Sequence, residues 1–207
     1  MPTPTNITTR PRLPSDLPSC ASLLARVYEK DRYPVQGVSN AIEFLSSPST
    51  LASWVTVVAG EDTPASPPNA NAEDRAEKKD ENKDETLEIL AHISLSLPPP
   101  TSADPAVVLW RSQNSEPVAV LERLFVDPTA RGQGLAEKLM RTVTEEAGKR
   151  GLRCVLFALV KDVGAMRLYE RVGWKEFGRE MYGYEDAEGE WTEMKAVCYV
   201  APPDATH

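Results

Sequence analysis

Histidine is nearly missing from this sequence: 207 residues hold only His92 and His207. Cysteine is almost as scarce, with Cys20, Cys154 and Cys198 odd in number, far apart and without a C-x-x-C pair. That pattern argues against a disulfide framework or a zinc site, so no metal is expected, and a reducing, cytoplasmic setting fits. Long apolar runs are also missing. The longest, Cys154 to Val160, is far too short to cross a bilayer. Met1 to Arg12 lacks the apolar centre of a signal peptide. No membrane partner is expected. Basic surplus is absent too: 23 Lys and Arg stand against 31 Asp and Glu, a formal net charge of −8, which argues against a nucleic-acid partner.

What remains has an ordinary globular composition, 41% hydrophobic and 26% charged, and the length of one domain. The acidity is uneven. Gly60 to Thr86 carries nine acidic and four basic residues, so the rest of the chain sums to only −3. This stretch contains Pro64, Pro67 and Pro68 and no large apolar groups from Asn69 to Glu85. Such a composition cannot bury enough surface to offset its ordering entropy. It reads as a mobile acidic insertion at 60–86 within a single domain, 1–207, with an exposed helix over Asn71 to Lys83 as the alternative.

Around the insertion the periodicities predict regular elements. Ile7 to Arg10 reads as a short strand. Leu17, Ala21, Leu24, Val27 and Tyr28 recur at helical spacing, predicting a helix over Asp16 to Lys30. Asn40 is placed to cap a second, shorter helix ending at Leu45. Strands are predicted over Trp54 to Ala59 and Leu87 to Leu97, and Thr101 to Ser115 reads as irregular after the Pro98 to Pro100 stop. Then come strand Val118 to Val126, helix Leu135 to Arg150, strand Cys154 to Leu159 and helix Ala165 to Val172. Two strands follow, near Trp174 to Tyr184 and Thr192 to Val200. Gly151 and Gly173 sit where helix C-terminal glycines belong.

The turn Arg131-Gly132-Gln133-Gly134-Leu135-Ala136 lies between a strand and a helix. Two glycines let the backbone approach a ligand closely. The helix start adds unpaired amides and a positive dipole end, and Arg131 can reach a phosphate with two bonds. The turn lacks the spacing of a P-loop or of a dinucleotide fingerprint. Taken alone it is an anion site or an unliganded tight turn.

Two stretches carry a resemblance. Leu124 to Ala136 resembles the acetyl-CoA motif of the GNAT superfamily of N-acetyltransferases, a strand followed by [RQ]-x-x-G-x-[GA]. Ala165-Met166-Arg167-Leu168-Tyr169-Glu170-Arg171-Val172-Gly173-Trp174 resembles that family's second signature, A-x-x-L-Y-E-x-x-G-[FW]. The resemblance is strong over Val118 to Tyr184 and compatible from Ile7 to Leu97. It implies an α/β (α+β) fold: a mixed, largely antiparallel sheet of six to seven strands, splayed at the centre between Val118–Val126 and Val155–Leu159, with helices on both faces. It implies acetyl-CoA as co-substrate, its pantetheine along Leu124, Phe125 and Val126 and its pyrophosphate on Arg131, Gly132, Gln133, Gly134, Leu135 and Ala136. Where the family often has Asn, this chain has Asp162, which keeps an acceptor and loses the amide donors.

Direct transfer of an acetyl group to an amine needs a deprotonated amine, a polarised thioester carbonyl and an acid for the thiolate. The resemblance places the Tyr169 hydroxyl near the sulfur, as that acid, and a backbone amide near Leu124 or Val126 on the carbonyl. Glu122 is the base candidate. Strand alternation groups it with Val118, Val120, Leu124 and Val126, a lone carboxylate on an otherwise apolar face. A structural salt bridge to an arginine is the other reading. His92 is a weaker candidate, as a proton relay, and Cys154 has no histidine near it to make it a nucleophile. The resemblance puts the acceptor among Tyr28, Tyr33, Tyr182, Tyr184 and Trp191, with Glu29, Asp31, Glu185 and Asp186. That set suits a cationic amine, small molecule or peptide, or is an ordinary polar rim. A monomer or homodimer is expected. Two rival readings remain: a CoA-binding regulatory module without turnover, and an interaction protein acting through its acidic insertion.

Overall fold

The computed structural model describes residues 7–58 and 87–203. The acidic insertion at 60–86, with its alternative helix, lies outside them, as does His207. Seven strands form one sheet: β1 (Ile7–Pro11), β2 (Thr50–Val58), β3 (Ile89–Ser96), β4 (Val118–Val126), β5 (Arg153–Leu159), β6 (Lys175–Glu185) and β7 (Trp191–Val200), in the order β1-β2-β3-β4-β5-β7-β6. Every neighbouring pair is antiparallel except β4 and β5. Five α-helices accompany them among the described residues: α1 (Leu17–Asp31), α2 (Ala41–Leu45), α3 (Pro105–Gln113), α4 (Leu135–Lys149) and α5 (Val163–Arg171). None of these helices is long and apolar enough to cross a membrane.

Strand alternation distributes the core. Ala91, Ile93, Leu95, Ala119, Leu121, Cys154 and Leu156 pack toward α4 and α5 with Leu135, Leu139 and Val143. On the other face, Val55, Val57, Ile89 and Phe125 meet α1, and Val118, Val120, Val155 and Cys198 meet α3. Helices thus cover both faces, as the resemblance implied. The helix ends follow local chemistry. Gly151 and Gly173 take φ of 67° and 88° just past α4 and α5, the left-handed setting that glycine holds without a Cβ penalty.

Three expectations need correction. Thr101 to Ser115 is not irregular, for it contains α3. Asp104 caps that helix, its carboxylate accepting from the Val107 amide at 3.1 Å, and Pro105 fills the first position. Asn40 precedes α2 but makes no side-chain cap bond. The alternation along β4 also breaks. Arg123 has φ of 56°, and the pairing with β3 slips between His92 and Ser94. This bulge reverses the phase of the strand. Leu124 and Val126 therefore join Leu121 on the α4 and α5 side, while Glu122 stays with Val118 and Val120 and is not grouped with Leu124 and Val126.

His92 holds the bulge. It is fully buried, stacks on Phe125 with ring centroids 5.0 Å apart, and its Nδ1 lies 3.0 Å from the carbonyl of Arg123. Its Nε2 lies 3.5 Å from an Arg12 guanidinium nitrogen. Nδ1–H donates and Nε2 accepts, so the ring is neutral. Burial, with two nearby arginines, pushes its pKa down to about 4. With both ring nitrogens engaged, His92 has the contacts of a strand anchor, the other reading of this residue.

Candidate functional site

β4 and β5 pair only at Val118–Val120 against Arg153–Val155. Beyond that point they separate: β5 continues against β7, and β4 stays paired with β3 on its other side. The facing edges of Leu121–Val126 and Leu156–Leu159 thus carry backbone donors and acceptors with no neighbouring strand. The opening between them is a cavity of about 800 Å³, large enough for a sizeable cofactor and a second substrate.

The upper end of this cavity runs onto the glycine turn. Gly132 and Gly134 take φ of 79° and 75°, and a Cβ built on either would meet nothing within 4 Å, so open space lies before them. Gly134 precedes the first turn of α4, and Lys138 is the first amide to bond back to it, at 3.0 Å. Among the described residues no carbonyl or side chain accepts from the amides of residues 131–137. Unpaired amides beside the positive end of a helix dipole are the groups that an anion site uses. The turn is held from behind by Asp127. Its carboxylate accepts from the Thr129 amide at 2.8 Å and from Arg26 of α1 at 2.7 Å. Burial would raise this carboxyl, but the bonds from Thr129 and Arg26 outweigh it and hold it below the ordinary range.

Leu124, Phe125, Val126, Arg131, Gly132, Gly134, Leu135, Ala136, Asp162 and Tyr169 all border the cavity, whereas Gln133 does not. Arg131 is not free: it pairs with Asp31 at the end of α1, one of the two contacts measuring 3.3 Å. Across the same rim Arg171 of α5 pairs with Glu137 of α4 at 2.6 Å. Asp162 bonds to Lys161 at 2.7 Å and caps α5 through its backbone carbonyl and not its side chain.

Tyr169 of α5 is 8% exposed, packs against Trp174 and Tyr199 and is one of the residues that line the cleft. Its hydroxyl has no hydrogen-bond partner among the described residues. Burial, with the negative charge of Asp162 adding to it, raises this phenol well above its ordinary value, so it stays protonated at neutral pH. Opposite, the Glu122 carboxylate is 29% exposed and accepts from Ser96 Oγ and from the Arg123 guanidinium. The ion pair anticipated as an alternative is present, in the cavity wall.

The acceptor set divides. Tyr33 and Tyr182 line the cavity with Asp31, and Gln36 reaches Tyr182 Oη at 3.1 Å, linking the segment after α1 to β6. Burial raises both phenols. Tyr28 lies under Arg32, and Tyr184 packs behind Tyr182 with Leu159 and Ala196, so neither reaches the cavity. Trp191 is 70% exposed and stands outside it. Glu29, Glu185 and Asp186 are also off the wall. Sequence reasoning passed over Arg123, Phe44 and Phe157, which line the same side. Arg123 and Phe44 gave no local signal, because their place depends on the bulge and on α2 docking. All three cysteines are buried, free thiols, and burial pushes each pKa up to about 12, which disfavours the reactive thiolate. Among the described residues no three His, Cys, Asp or Glu side chains converge as metal ligands would.

An uncharacterised N-acetyltransferase of Methanocaldococcus jannaschii is 42% identical over 60 residues, 28% of this chain but only 26% of that protein, so the match spans about a quarter of the relative. NAA60 of Arabidopsis thaliana, solved in complex with acetyl-CoA, superposes with a TM-score of 0.60 at 18% identity, covering 95% of this chain and 98% of that one. The ribosomal-protein-S18-alanine N-acetyltransferase of Escherichia coli superposes with a TM-score of 0.54 at 16% identity, covering 98% and 99%. At such identities these superpositions establish the fold. The sequence profile described as the acetyltransferase (GNAT) family matches residues 69–174, half of the chain, and so the chain belongs to the GNAT family of acetyltransferases.

Proposed function

We propose that this chain transfers an acetyl group from acetyl-CoA to an amine, directly, within a ternary complex. The observation that carries the reading is the splayed edge of β4 running onto the unpaired amides of 131–137, with Tyr169 lining the same cleft. Two of the proteins named above are N-acetyltransferases by name, and NAA60 was solved with acetyl-CoA, which supports the same donor.

The roles follow. The free edge at Leu124 to Val126 hydrogen-bonds the pantetheine amides, and the turn amides with Arg131 take the pyrophosphate. A β4 amide polarises the thioester carbonyl. The amine nitrogen attacks that carbon, the C–S bond breaks, and Tyr169 gives its proton to the leaving sulfur. The proton lost from nitrogen passes to Glu122, directly or through one water, and returns to the phenolate through solvent. The net change is amine plus acetyl-CoA to N-acetyl product plus CoA thiol. The acceptor enters between Tyr33 and Tyr182.

We read the chain as one domain bearing the 60–86 insertion, acting as a monomer or homodimer. Its free, buried thiols support a cytoplasmic setting, and its acidic charge supports working without nucleic acid. The test is amine-dependent release of CoA thiol with a stoichiometric N-acetyl product. Binding of acetyl-CoA without transfer to any amine would favour the regulatory-module reading instead.

A further inference from the structure

Arg123 sits on the acceptor side of the cleft in the left-handed region, φ 56°, a strained setting for a residue with a side chain. Its side chain is 10% exposed and borders the cavity. Nη1 donates to Glu122 and, at 3.4 Å, to Thr50 Oγ1. The remaining edge, Nε with Nη2, meets no acceptor among the described residues, and Nε is buried. A desolvated donor without a partner is costly. Nη2 can give a carboxylate oxygen a charge-assisted N–H···O bond. Immediately beside it, in the same wall, lies the Glu122 carboxylate.

A neighbouring cation and anion are complementary to a zwitterion. A zwitterionic acceptor brings no net charge into the cleft, whereas a plain amine brings an uncompensated positive charge. Around the pair the lining is apolar and aromatic, with Tyr33, Val35, Phe44, Phe157 and Tyr182. The Phe44 ring lies 5.0 Å from the guanidinium carbon, leaving an apolar surface beside the charged pair.

We propose that the acceptor is a free α-amino acid with an apolar side chain, its carboxylate on Nη2 of the Arg123 guanidinium and its amine toward Glu122. The inference rests on the transferase reading and adds the substrate class to it. A peptide N terminus offers an amide carbonyl in place of the carboxylate, and so lacks the charge this guanidinium selects.

The 207-residue chain is supplied with acetyl-CoA and, in separate reactions, each protein α-amino acid, its carboxamide, its decarboxylated amine and a dipeptide beginning with it; thiol release is followed. The expected result is an apolar amino acid used with kcat/KM about tenfold or more above its amide, amine and dipeptide. In Arg123→Gln that gap closes through KM for the acid, with a thermal melt to confirm folding, and Arg123→Lys recovers only part of it. The wild-type comparison decides the matter even if a variant does not fold. Equal or better use of amides, amines or dipeptides overturns the inference, as does a gap that survives in folded Arg123→Gln. Transfer to peptides or plain amines but to no amino acid overturns the substrate class and leaves the transferase reading standing. Transfer to no acceptor removes both.

Discussion

Replacing Gly134 by Ala separates what the turn does for folding from what it does for the donor. Gly134 has φ of 75°, so an Ala there is strained by about 1–2 kcal/mol. The added Cβ meets no protein atom within 4 Å, so no packing cost accompanies the strain. For a chain of this size that predicts a fall in Tm of about 2–8 °C. The same Cβ, however, occupies the open space before the unpaired amides, where a pyrophosphate must come within hydrogen-bond distance. Acetyl-CoA affinity should therefore fall more than tenfold, at least about 1.4 kcal/mol beyond the strain. Gly151 provides the matched control. Its φ is 67° and its Cβ position is equally open, but it lies at the far end of α4, about 22 Å along the helix axis. Gly151→Ala should lower Tm similarly and leave affinity unchanged. Titration calorimetry with acetyl-CoA and thermal melts on both variants give the four numbers. Equal affinities for the two variants would refute the placement of the pyrophosphate on this turn.

Four further outcomes are expected. Tyr169→Phe should lower kcat by about 10²–10⁴ while acetyl-CoA still binds, because only the proton to the leaving sulfur is lost; an unchanged rate would assign the acid elsewhere. Asp31→Asn should tighten acetyl-CoA binding severalfold at low salt by freeing Arg131, with the difference fading at high salt, since both side chains are partly exposed (42% and 35%); titration at two ionic strengths checks it. His92→Phe keeps the stack on Phe125 but leaves the Arg123 carbonyl without its donor, at a cost of about 1–3 kcal/mol in a denaturant melt. The pH dependence has a definite sign. The folded pKa of His92 is depressed to about 4, so its contribution is full above about 6.5 and is lost as pH falls toward 4. Asp104, raised to about 6 by burial, acts oppositely, losing stability as pH rises through that value. Tm should therefore fall more steeply with acid in Asp104→Asn, which still caps α3, than in the wild type, and less steeply in His92→Phe.

The parts of the site that were legible in the sequence are the local ones. The glycine turn and the α5 signature are short segments whose backbone demands fall on particular residues, and the opening between β4 and β5 follows from the family they identify. Gly151 and Gly173 marked helix ends for the same reason. α3 was legible in principle, since Asp104-Pro105 is a capping pair, but the triple proline before it and the polar residues after it obscured nine helical positions. The bulge at Arg123 was not legible. It exists because of what β3 offers, the His92 ring and its slipped pairing, and an alternating strand read alone has no such partner. That one-residue shift moved Leu124 and Val126 to the other face and set Arg123 beside Glu122. The pairs Arg131–Asp31 and Arg26–Asp127 join residues about a hundred positions apart, and no local pattern encodes them. The same limit explains the divided acceptor set: Tyr33 and Tyr182 meet only because the segment after α1 docks against β6 through Gln36.

Amide hydrogen exchange, with and without acetyl-CoA, tests the central claim most directly, because the claim concerns particular unpaired amides. Added acetyl-CoA should slow exchange in peptides covering Leu124–Val126 and residues 131–137. Peptides covering β1, β2 and the far end of α4 should stay unchanged, as should the whole chain with acetate alone. Protection elsewhere, or none at the glycine turn despite measurable binding, would contradict the account.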